Sequence, residues 1–254
     1  MLVTCYYDIY GKPHKFMEYL YLFYDLGISG IPITLFTDPS MVSKFRIFPS
    51  SVTVIGVPLH EFELYSMGMA YERDLPSSRT PEKDTKEFFS LMNAKIEFVK
   101  KAAERWPDLE TFMWIDFGIL KIVRQPERFL ERLRTLGDLS FKKMVIPGCW
   151  PLGQTFSVEQ IHWRFCGGFF VIPRSFIDRF YEHSRGVLRD FCTMEFYKLT
   201  WETNVWSTIE FCAEHHNIVW YFADHDDSIV LHIDNVLNEV LVREHAITDP
   251  VLET

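Results

Sequence analysis

The sequence predicts a single α/β domain with a central sheet that is mainly parallel and flanked by helices. Short apolar runs typical of buried strands alternate with longer segments of helical periodicity. Hydrophobic residues make up 48% of the 254 residues, which is enough for one large core. No internal repeat, low-complexity tract or linker divides the chain. We therefore treat residues 1–254 as one domain.

The first sixty residues already show the alternation. Residues 2–9 and 51–57 have the apolar character of buried strands, and 31–36 forms another strand that ends before a Thr-Asp-Pro turn. A short helix is expected between the second and third strands. The first helix, 12–27, ends at glycine. Its apolar residues recur at helical spacing: Phe16, Tyr19, Leu20, Phe23 and Leu26.

The middle of the chain continues the pattern. Residues 72–86 are polar and contain two prolines, which predicts an exposed loop. Asp84 is placed to cap a helix that runs to about Trp106, and Pro107 ends it. Residues 111–116 then form a buried strand that ends in a carboxylate.

The remaining third has the same elements with more irregular connections. Amphipathic spacing and apolar content predict helices at 126–136, 174–189 and 194–216. Strands are expected at 143–147, at 166–173 and at 218–222.

Charge and cysteine content exclude several classes of protein. The net charge of −9 argues against a non-specific nucleic-acid binder, and no dense basic cluster suggests a polybasic membrane anchor. The five cysteines form no CxxC motif, so reduced thiols are expected. We find neither a signal peptide nor 18 consecutive apolar residues. The expectation is a cytoplasmic protein without a transmembrane segment.

Three motifs combine residue types that carry chemistry. In Trp114-Ile115-Asp116-Phe117-Gly118 an acid ends a strand, where it could hold a divalent cation or cap the next turn. Gly167 and Gly168 begin an aromatic strand, as a close ligand approach or a β-bulge would require. In the segment 200–206, Glu202 and Asn204 stand between two tryptophans, which suits either carbohydrate binding or a capping box.

Histidines and cations provide further candidates. His225 and His232 lie close to Asp226 and Asp227 and could contribute to a metal site, although their spacing matches no strong signature. A diphosphate ligand would need some of the scattered cations, and Lys95 on the helix before the Asp116 strand could reach over the sheet edge. The other candidates are Arg73, Arg79, Lys83 and Arg164.

Together these segments resemble GT-A glycosyltransferases, and more narrowly the HtrL/YibB-type group associated with bacterial surface polysaccharides. The segments that carry the resemblance are spread over most of the chain: VTCYYDI at 3–9, the run at 79–102, MWIDFGI at 113–119, CGGFFVIP at 166–173 and WETNVW at 201–206.

The resemblance implies a GT-A-like (Rossmann-like) fold with a mainly parallel central sheet. It also implies that residues 1–120 bind a nucleotide sugar and that 121–254 form the acceptor half. Residues at the ends of the first two strands would contact the nucleoside: Thr4, Tyr6, Asp8, Thr37 and Asp38. Lys95 and Arg79 would face the diphosphate. The transferred sugar and the acceptor would meet the glycine-aromatic strand and the tryptophan segment through Gly167, Gly168, Phe169, Trp201 and Asn204.

The same resemblance implies catalytic roles for Asp116 and Glu202. The usual Asp-x-Asp motif is here Asp116-Phe117-Gly118, so Asp116 would share Mn²⁺ or Mg²⁺ with a later residue such as His232. Glu202 would take the acceptor proton in an inverting enzyme or stabilise an oxocarbenium-like transition state in a retaining one.

The expected reaction is transfer of a hexose from a UDP- or GDP-sugar to a glycan hydroxyl. The alternatives are a non-catalytic carbohydrate-binding or assembly protein and a sugar nucleotidyltransferase. A nucleotidyltransferase usually has a glycine-rich basic loop near the first strand, and this chain offers only Gly11-Lys12 there. The aromatic content of 16% would also suit a homodimer interface.

Overall fold

Seven strands form one sheet in the computed structural model, which describes residues 1–242. The strand order is β3-β2-β1-β4-β6-β5-β7. Only β6 runs antiparallel to its neighbours β4 and β5, so the sheet is mainly parallel, as the sequence predicts. The strands are β1 (Leu2–Tyr6), β2 (Ile33–Thr37), β3 (Val52–Gly56), β4 (Thr111–Ile115), β5 (Met144–Gly148), β6 (Phe169–Pro173) and β7 (Ile218–Phe222).

Helices cover both faces of the sheet. The α-helices are α1 (Pro13–Ile28), α2 (Glu63–Met69), α3 (Lys86–Asn93), α4 (Lys95–Arg105), α5 (Pro126–Gly137), α6 (Arg174–Thr193), α7 (Glu202–Ile209), α8 (Ser228–Leu231) and α9 (Leu237–Val240). Short 3₁₀ segments lie at Pro39–Phe45, Leu59–Glu61, Ile119–Lys121 and His232–Val236, and Glu210–Glu214 is a π-helical turn.

Side chains that alternate along the central strands build two cores. Trp114 and Phe170 pack on the face covered by α4, α6 and α7. Met113 and Val171, their neighbours in sequence, pack on the opposite face with residues of α1 and α5. This alternation explains why both β4 and β6 read as continuous apolar runs.

Two predicted helices are divided in the structure. The segment 84–106 forms α3 and α4, which meet at Ala94, and this break places Lys95 in the first turn of α4. Thr85, and not Asp84, caps α3 by accepting a hydrogen bond from the Phe88 amide at 3.2 Å. Asp84 instead accepts from the Thr80 amide at 2.9 Å and stabilises the preceding turn.

The predicted helix at 194–216 also differs. Helix α6 continues to Thr193, and α7 begins only at Glu202. The residues between them, 194–201, form a turn and irregular structure.

The topology defines where a ligand crevice should lie. From β1 the chain proceeds to β2 and β3 on one side, and it returns to add β4 on the other side of β1. In open α/β sheets ligands bind outside the carboxyl ends of the strands at such a switch point. The end of β4 and the beginning of the antiparallel β6 lie at this same edge.

The length and polarity of the helices determine whether any of them could cross a membrane. Within residues 1–242, every helix is too short or too polar to traverse a bilayer.

Candidate active site

Asp116 lies at the switch point, directly after β4. Its backbone N–H donates to the Gly168 carbonyl at 2.9 Å, which continues the β4–β6 ladder by one residue. The carboxylate oxygen Oδ1 accepts a hydrogen bond from Trp114 Nε1 at 2.8 Å and lies 2.9 Å from Lys95 Nζ. The side chain is 38% exposed, so one end of this fixed carboxylate reaches solvent.

Lys95 holds the centre of the site. Its side chain is only 1% exposed, and Nζ contacts Asp116 Oδ1, Glu202 Oε1 at 2.8 Å and the Gly167 carbonyl at 2.8 Å. The contacts with Glu202 and the Gly167 carbonyl are hydrogen bonds that Lys95 donates, and the contact with Asp116 is an ion pair. Burial is the largest single influence and lowers the pKa of Lys95, but the two carboxylates together outweigh it and raise the pKa above its usual value.

Glu202 approaches Lys95 from the opposite side, at the first position of α7. Its side chain is 7% exposed. Gly167 leaves the room that this contact needs, since a Cβ there would lie 2.0 Å from Glu202 Oε1 and 3.4 Å from Lys95 Nζ. The first glycine of the Gly-Gly pair is therefore explained by the close approach of Glu202.

The three charged groups leave one accessible negative charge. Two carboxylates and one ammonium sum to −1, and Asp116 is the most exposed of the three. Its oxygen Oδ2 has no hydrogen-bond donor among residues 1–242. A Cβ on Gly168 would lie 3.7 Å from this oxygen, which is an ordinary contact, but only 3.1 Å from Ile119 Cδ1, so the second glycine is explained by its packing against Ile119.

The residues predicted to contact a nucleoside at β1 are divided between core and surface. Thr4 is fully buried, and its Oγ1 has no hydrogen-bond partner among residues 1–242. Tyr6 packs its ring against Phe117 at a centroid distance of 5.1 Å, and burial raises its pKa to about 12. Asp8 is exposed and accepts from the Lys12 amide at 3.0 Å.

At the end of β2 the predicted residues serve the backbone. Thr37 Oγ1 donates to the Tyr6 carbonyl at 2.8 Å and is buried. Asp38 caps the 3₁₀ segment by accepting from the Ser40 amide at 2.9 Å. The hydroxyl and amide of Ser40 together lower the pKa of Asp38. These contacts hold the strand end without presenting the Thr37 hydroxyl to solvent.

Three of the residues predicted to contact sugar, namely Phe169, Trp201 and Asn204, lie inside the protein. Trp201 is buried with its ring edge-on to Phe89 at 5.0 Å, and Phe169 is fully buried in β6. Asn204 is fully buried and accepts from the His162 amide at 2.7 Å, while its Nδ2 donates to the Gln160 carbonyl at 2.9 Å. In this conformation the three side chains pack the core or fix the 157–162 loop.

Most of the predicted cations have protein partners. Arg164 forms a buried two-pronged pair with Glu210 through contacts of 2.7 and 2.6 Å. Arg73 donates to carbonyls at the end of α6, including that of Met194 at 2.8 Å. Arg79 lies half-buried in the 72–86 loop, and Lys83 is exposed.

The predicted metal pairing of Asp116 with His232 is not formed within the described residues. His232 lies near the Phe222 carbonyl, at 3.3 Å, and lines a cavity with Arg124, Asp224 and Asp226. In residues 1–242 a single group of three such side chains converges closely enough to hold a metal, and it consists of Cys149, Cys166 and His225.

Two contacts of the site were missed by sequence reasoning. Trp114 lies two residues before Asp116 in the same strand, and its indole holds the carboxylate in place. Residues i and i+2 of a strand share a face, so the Trp-x-Asp spacing could have indicated this contact. No local sequence signal pairs Lys95 with Glu202, since they are 107 residues apart.

Comparisons with known proteins add a distant likeness. No protein-family model and no curated protein matches the chain. Similar solved structures include a glycosyltransferase involved in the glycosylation of the major capsid of PBCV-1 (11% identity, TM-score 0.45, 87% of this chain and 81% of that one).

Two further structures show the same level of likeness. The bifunctional IspDF from Campylobacter jejuni is 12% identical with a TM-score of 0.38, and 94% of this chain aligns with 54% of it. Mannose-1-phosphate geranyltransferase from Thermus thermophilus is 12% identical with a TM-score of 0.38, covering 87% of this chain and 72% of that one. Two of the three are named as transferases. At these scores the likeness does not assign a function to this chain. The HtrL/YibB-type resemblance stays a prediction.

Proposed function

We propose that this protein is a glycosyltransferase that moves a hexose from a nucleotide-diphosphate sugar to a glycan hydroxyl. The observation that carries the proposal is the fixed, partly exposed carboxylate of Asp116 at the switch point of an open α/β sheet. Lys95 and Trp114 hold one oxygen of this carboxylate, and the other oxygen has no hydrogen-bond donor within residues 1–242. A carboxylate fixed in this way is preorganised to meet a positive charge.

The donor set fits a divalent cation that arrives with the diphosphate. Mg²⁺ is usually bound by one or two carboxylates together with substrate phosphates, and Asp116 supplies one such oxygen. A bound Mn²⁺ or Mg²⁺ would offset the negative charge that develops on the leaving diphosphate. The local charge of −1 left by Lys95, Asp116 and Glu202 favours such a cation and disfavours a bare phosphate.

Lys95 and Glu202 act as positioning residues in this proposal. The ammonium of Lys95 is buried and contacts three protein oxygens, so it orients Asp116 rather than binding a phosphate. Glu202 is buried against Lys95 and neutralises its charge. This arrangement favours a supporting role for Glu202 over direct proton transfer from an acceptor.

The test compares Asp116→Asn with the parent protein and with Asp108→Asn, a matched change at an exposed acid after α4. Release of nucleoside diphosphate is measured across UDP- and GDP-sugars with Mn²⁺ or Mg²⁺ and a panel of glycan acceptors. We expect Asp116→Asn to lose about 10²–10³ in turnover, because it removes a preorganised charge at the reacting edge. Asp108→Asn should retain the parent rate. Full activity in folded Asp116→Asn would refute the assignment.

The same panel separates the two alternatives. A nucleotidyltransferase would release pyrophosphate from a nucleoside triphosphate and a sugar phosphate. The melting temperature of a carbohydrate-binding protein would rise with free glycan and would not rise with UDP or GDP plus Mn²⁺. Either result, together with an absence of sugar transfer, would contradict the proposed function and support the corresponding alternative.

A further inference from the structure

A cluster of sulfur and nitrogen ligands lies on the same edge of the sheet. Cys149 follows β5, Cys166 precedes β6, and His225 follows β7. Backbone hydrogen bonds tie these segments together. The Cys166 amide donates to the Pro147 carbonyl at 2.7 Å, and the Ala223 amide donates to the Gly148 carbonyl at 2.9 Å. The cluster is thus a product of the tertiary fold, because it joins the two ends of the β5–β6 connection to the segment that follows β7.

The distances match those of a tetrahedral metal site. Cys149 Sγ lies 3.6 Å from Cys166 Sγ and 3.9 Å from His225 Nε2, and all three ligand atoms lie within 4.8 Å of one another. With Zn–S near 2.3 Å and Zn–N near 2.0 Å, neighbouring ligand atoms of a tetrahedron are roughly 3.5–3.8 Å apart. The two sulfur atoms already have this separation, and His225 Nε2, at 3.9 Å from Cys149 Sγ, would move closer when an ion binds.

The surroundings also favour a bound cation. Asp224 and Asp226 flank His225 in the acidic loop, and the Asp224 carboxylate accepts from the His225 amide at 2.7 Å. Thiolate is the form of cysteine that binds metals.

The cluster is reachable from solvent. Cys166 is buried, Cys149 is half-buried and His225 is exposed, so the cluster opens outwards on the histidine side. The Trp163 ring lies edge-on to the His225 imidazole at 4.3 Å and restricts its rotation. An ion can enter from the exposed side and meet ligands that the fold has already brought together.

We propose that Cys149, Cys166 and His225 bind one Zn²⁺ ion per chain, with the fourth position open to water. Two thiolates and an imidazole select a borderline or soft ion such as Zn²⁺ over Mg²⁺ or Mn²⁺. The site joins the connections that follow β5 and β7 to the start of β6. Because Cys166 precedes Gly167, whose carbonyl accepts from Lys95, bound zinc also stabilises the wall of the candidate active site. The proposal does not depend on the proposed transferase activity.

The experiment uses Co²⁺ as a spectroscopic probe on the full chain after reduction with a phosphine. We expect one Co²⁺ per chain, with a thiolate charge-transfer band and the intense visible bands of tetrahedral cobalt, and displacement by Zn²⁺ but not by Mg²⁺. Cys149→Ser and His225→Ala should each weaken binding more than about 100-fold, because even groups that only hydrogen-bond to a metal ligand contribute about 10–100-fold. Cys192→Ser and Cys212→Ser are the matched controls and should bind as the parent does.

Thermal unfolding without metal shows whether each variant is folded, and a Zn²⁺-dependent rise in melting temperature should occur in the parent and in both controls only. The proposal is overturned if Cys149→Ser binds Co²⁺ as tightly as the parent, or if the bound cobalt is octahedral and lacks the charge-transfer band. It is equally overturned if the reduced parent binds no Co²⁺ and the two thiols are found only as a disulfide after exposure to air.

Discussion

Replacement of Lys95 by methionine tests the charged centre of the molecule most directly. The ammonium is almost completely buried and contacts Asp116 and Glu202 at 2.9 and 2.8 Å. Methionine has a similar shape but carries no charge, so the change leaves both carboxylates without their cation. Asp116 can be hydrated because it is partly exposed, whereas Glu202 is buried and cannot.

Removal of one partner of a buried ion pair typically costs about 3–5 kcal/mol. Since 1 kcal/mol shifts the melting temperature of a chain of this size by about 2–4 °C, Lys95→Met should lower it by about 6–20 °C. Glu202→Met should cost less than Lys95→Met, because Lys95 keeps its contact with Asp116. The double variant should be more stable than the sum of the two single changes predicts, since it removes the ion pair as a unit.

The assay is urea denaturation of the parent, both single variants and the double variant. Lys100→Met is the matched control on the same helix, because Lys100 is 30% exposed where it meets Asp178 and Glu104. It should change the unfolding free energy by no more than about 1 kcal/mol. If Lys95→Met costs as little as this control, or if the effects at Lys95 and Glu202 are additive, the Lys95 cluster does not hold the edge of the sheet together.

Two further predictions concern packing and pH. Gly167→Ala should destabilise the protein by about 1–3 kcal/mol in urea denaturation, because the added Cβ would collide with Glu202. The control is Gly186→Ala, whose added Cβ would have no atom within 4 Å, and it should be neutral or slightly stabilising. Equal urea midpoints for the two variants would contradict this prediction. Burial lowers the pKa of His162 below 6.5, so the stability that this residue contributes is present above 6.5 and is lost as the pH falls through its lower folded-state pKa. His162→Gln should therefore show a weaker loss of stability between neutral and acidic pH, and an unchanged pH profile would refute the attribution.

The strand positions could be predicted because short apolar runs carry the information locally. All seven predicted strands are present, and Asp116 lies at the end of one of them, as expected. The direction of β6 could not be predicted in this way. Whether a strand is parallel or antiparallel depends on the path of the long connection from 149 to 168, and that segment contains no periodic pattern.

The sequence did not predict which polar residues are buried. Asn204 and Trp201 have the chemistry of a sugar-binding surface, but the same groups can satisfy buried backbone atoms or fill a core. Which of these occurs depends on the 157–162 loop, which lies about forty residues earlier in the chain and donates the His162 amide to Asn204. The spacing of residues in the sequence does not indicate that contact.

The metal cluster was missed for a related reason. Local motifs such as CxxC reveal ligands that lie on one turn. Cys149 and Cys166 instead lie at opposite ends of the β5–β6 connection, and they meet His225 only when the segment after β7 reaches the same edge of the sheet. The sequence did place a candidate metal role on His225, but it offered no ground for pairing this histidine with the cysteines.

The two sites on this edge differ in the kind of ion that they can accept, although Cys166 and Gly167 are adjacent in the chain. The Asp116 carboxylate is a hard oxygen ligand, and Lys95 already supplies one positive charge to it, so an ion there needs phosphate oxygens to complete its coordination. The cysteine cluster supplies soft ligands from the protein itself and needs no substrate. A dependence on Mn²⁺ should therefore appear only with a diphosphate ligand and disappear in Asp116→Asn, whereas Zn²⁺ binding should persist in that variant and disappear in Cys149→Ser. If Asp116→Asn also abolished Zn²⁺ binding, or Cys149→Ser also abolished the dependence on Mn²⁺, the edge of the sheet would form one shared metal site rather than two.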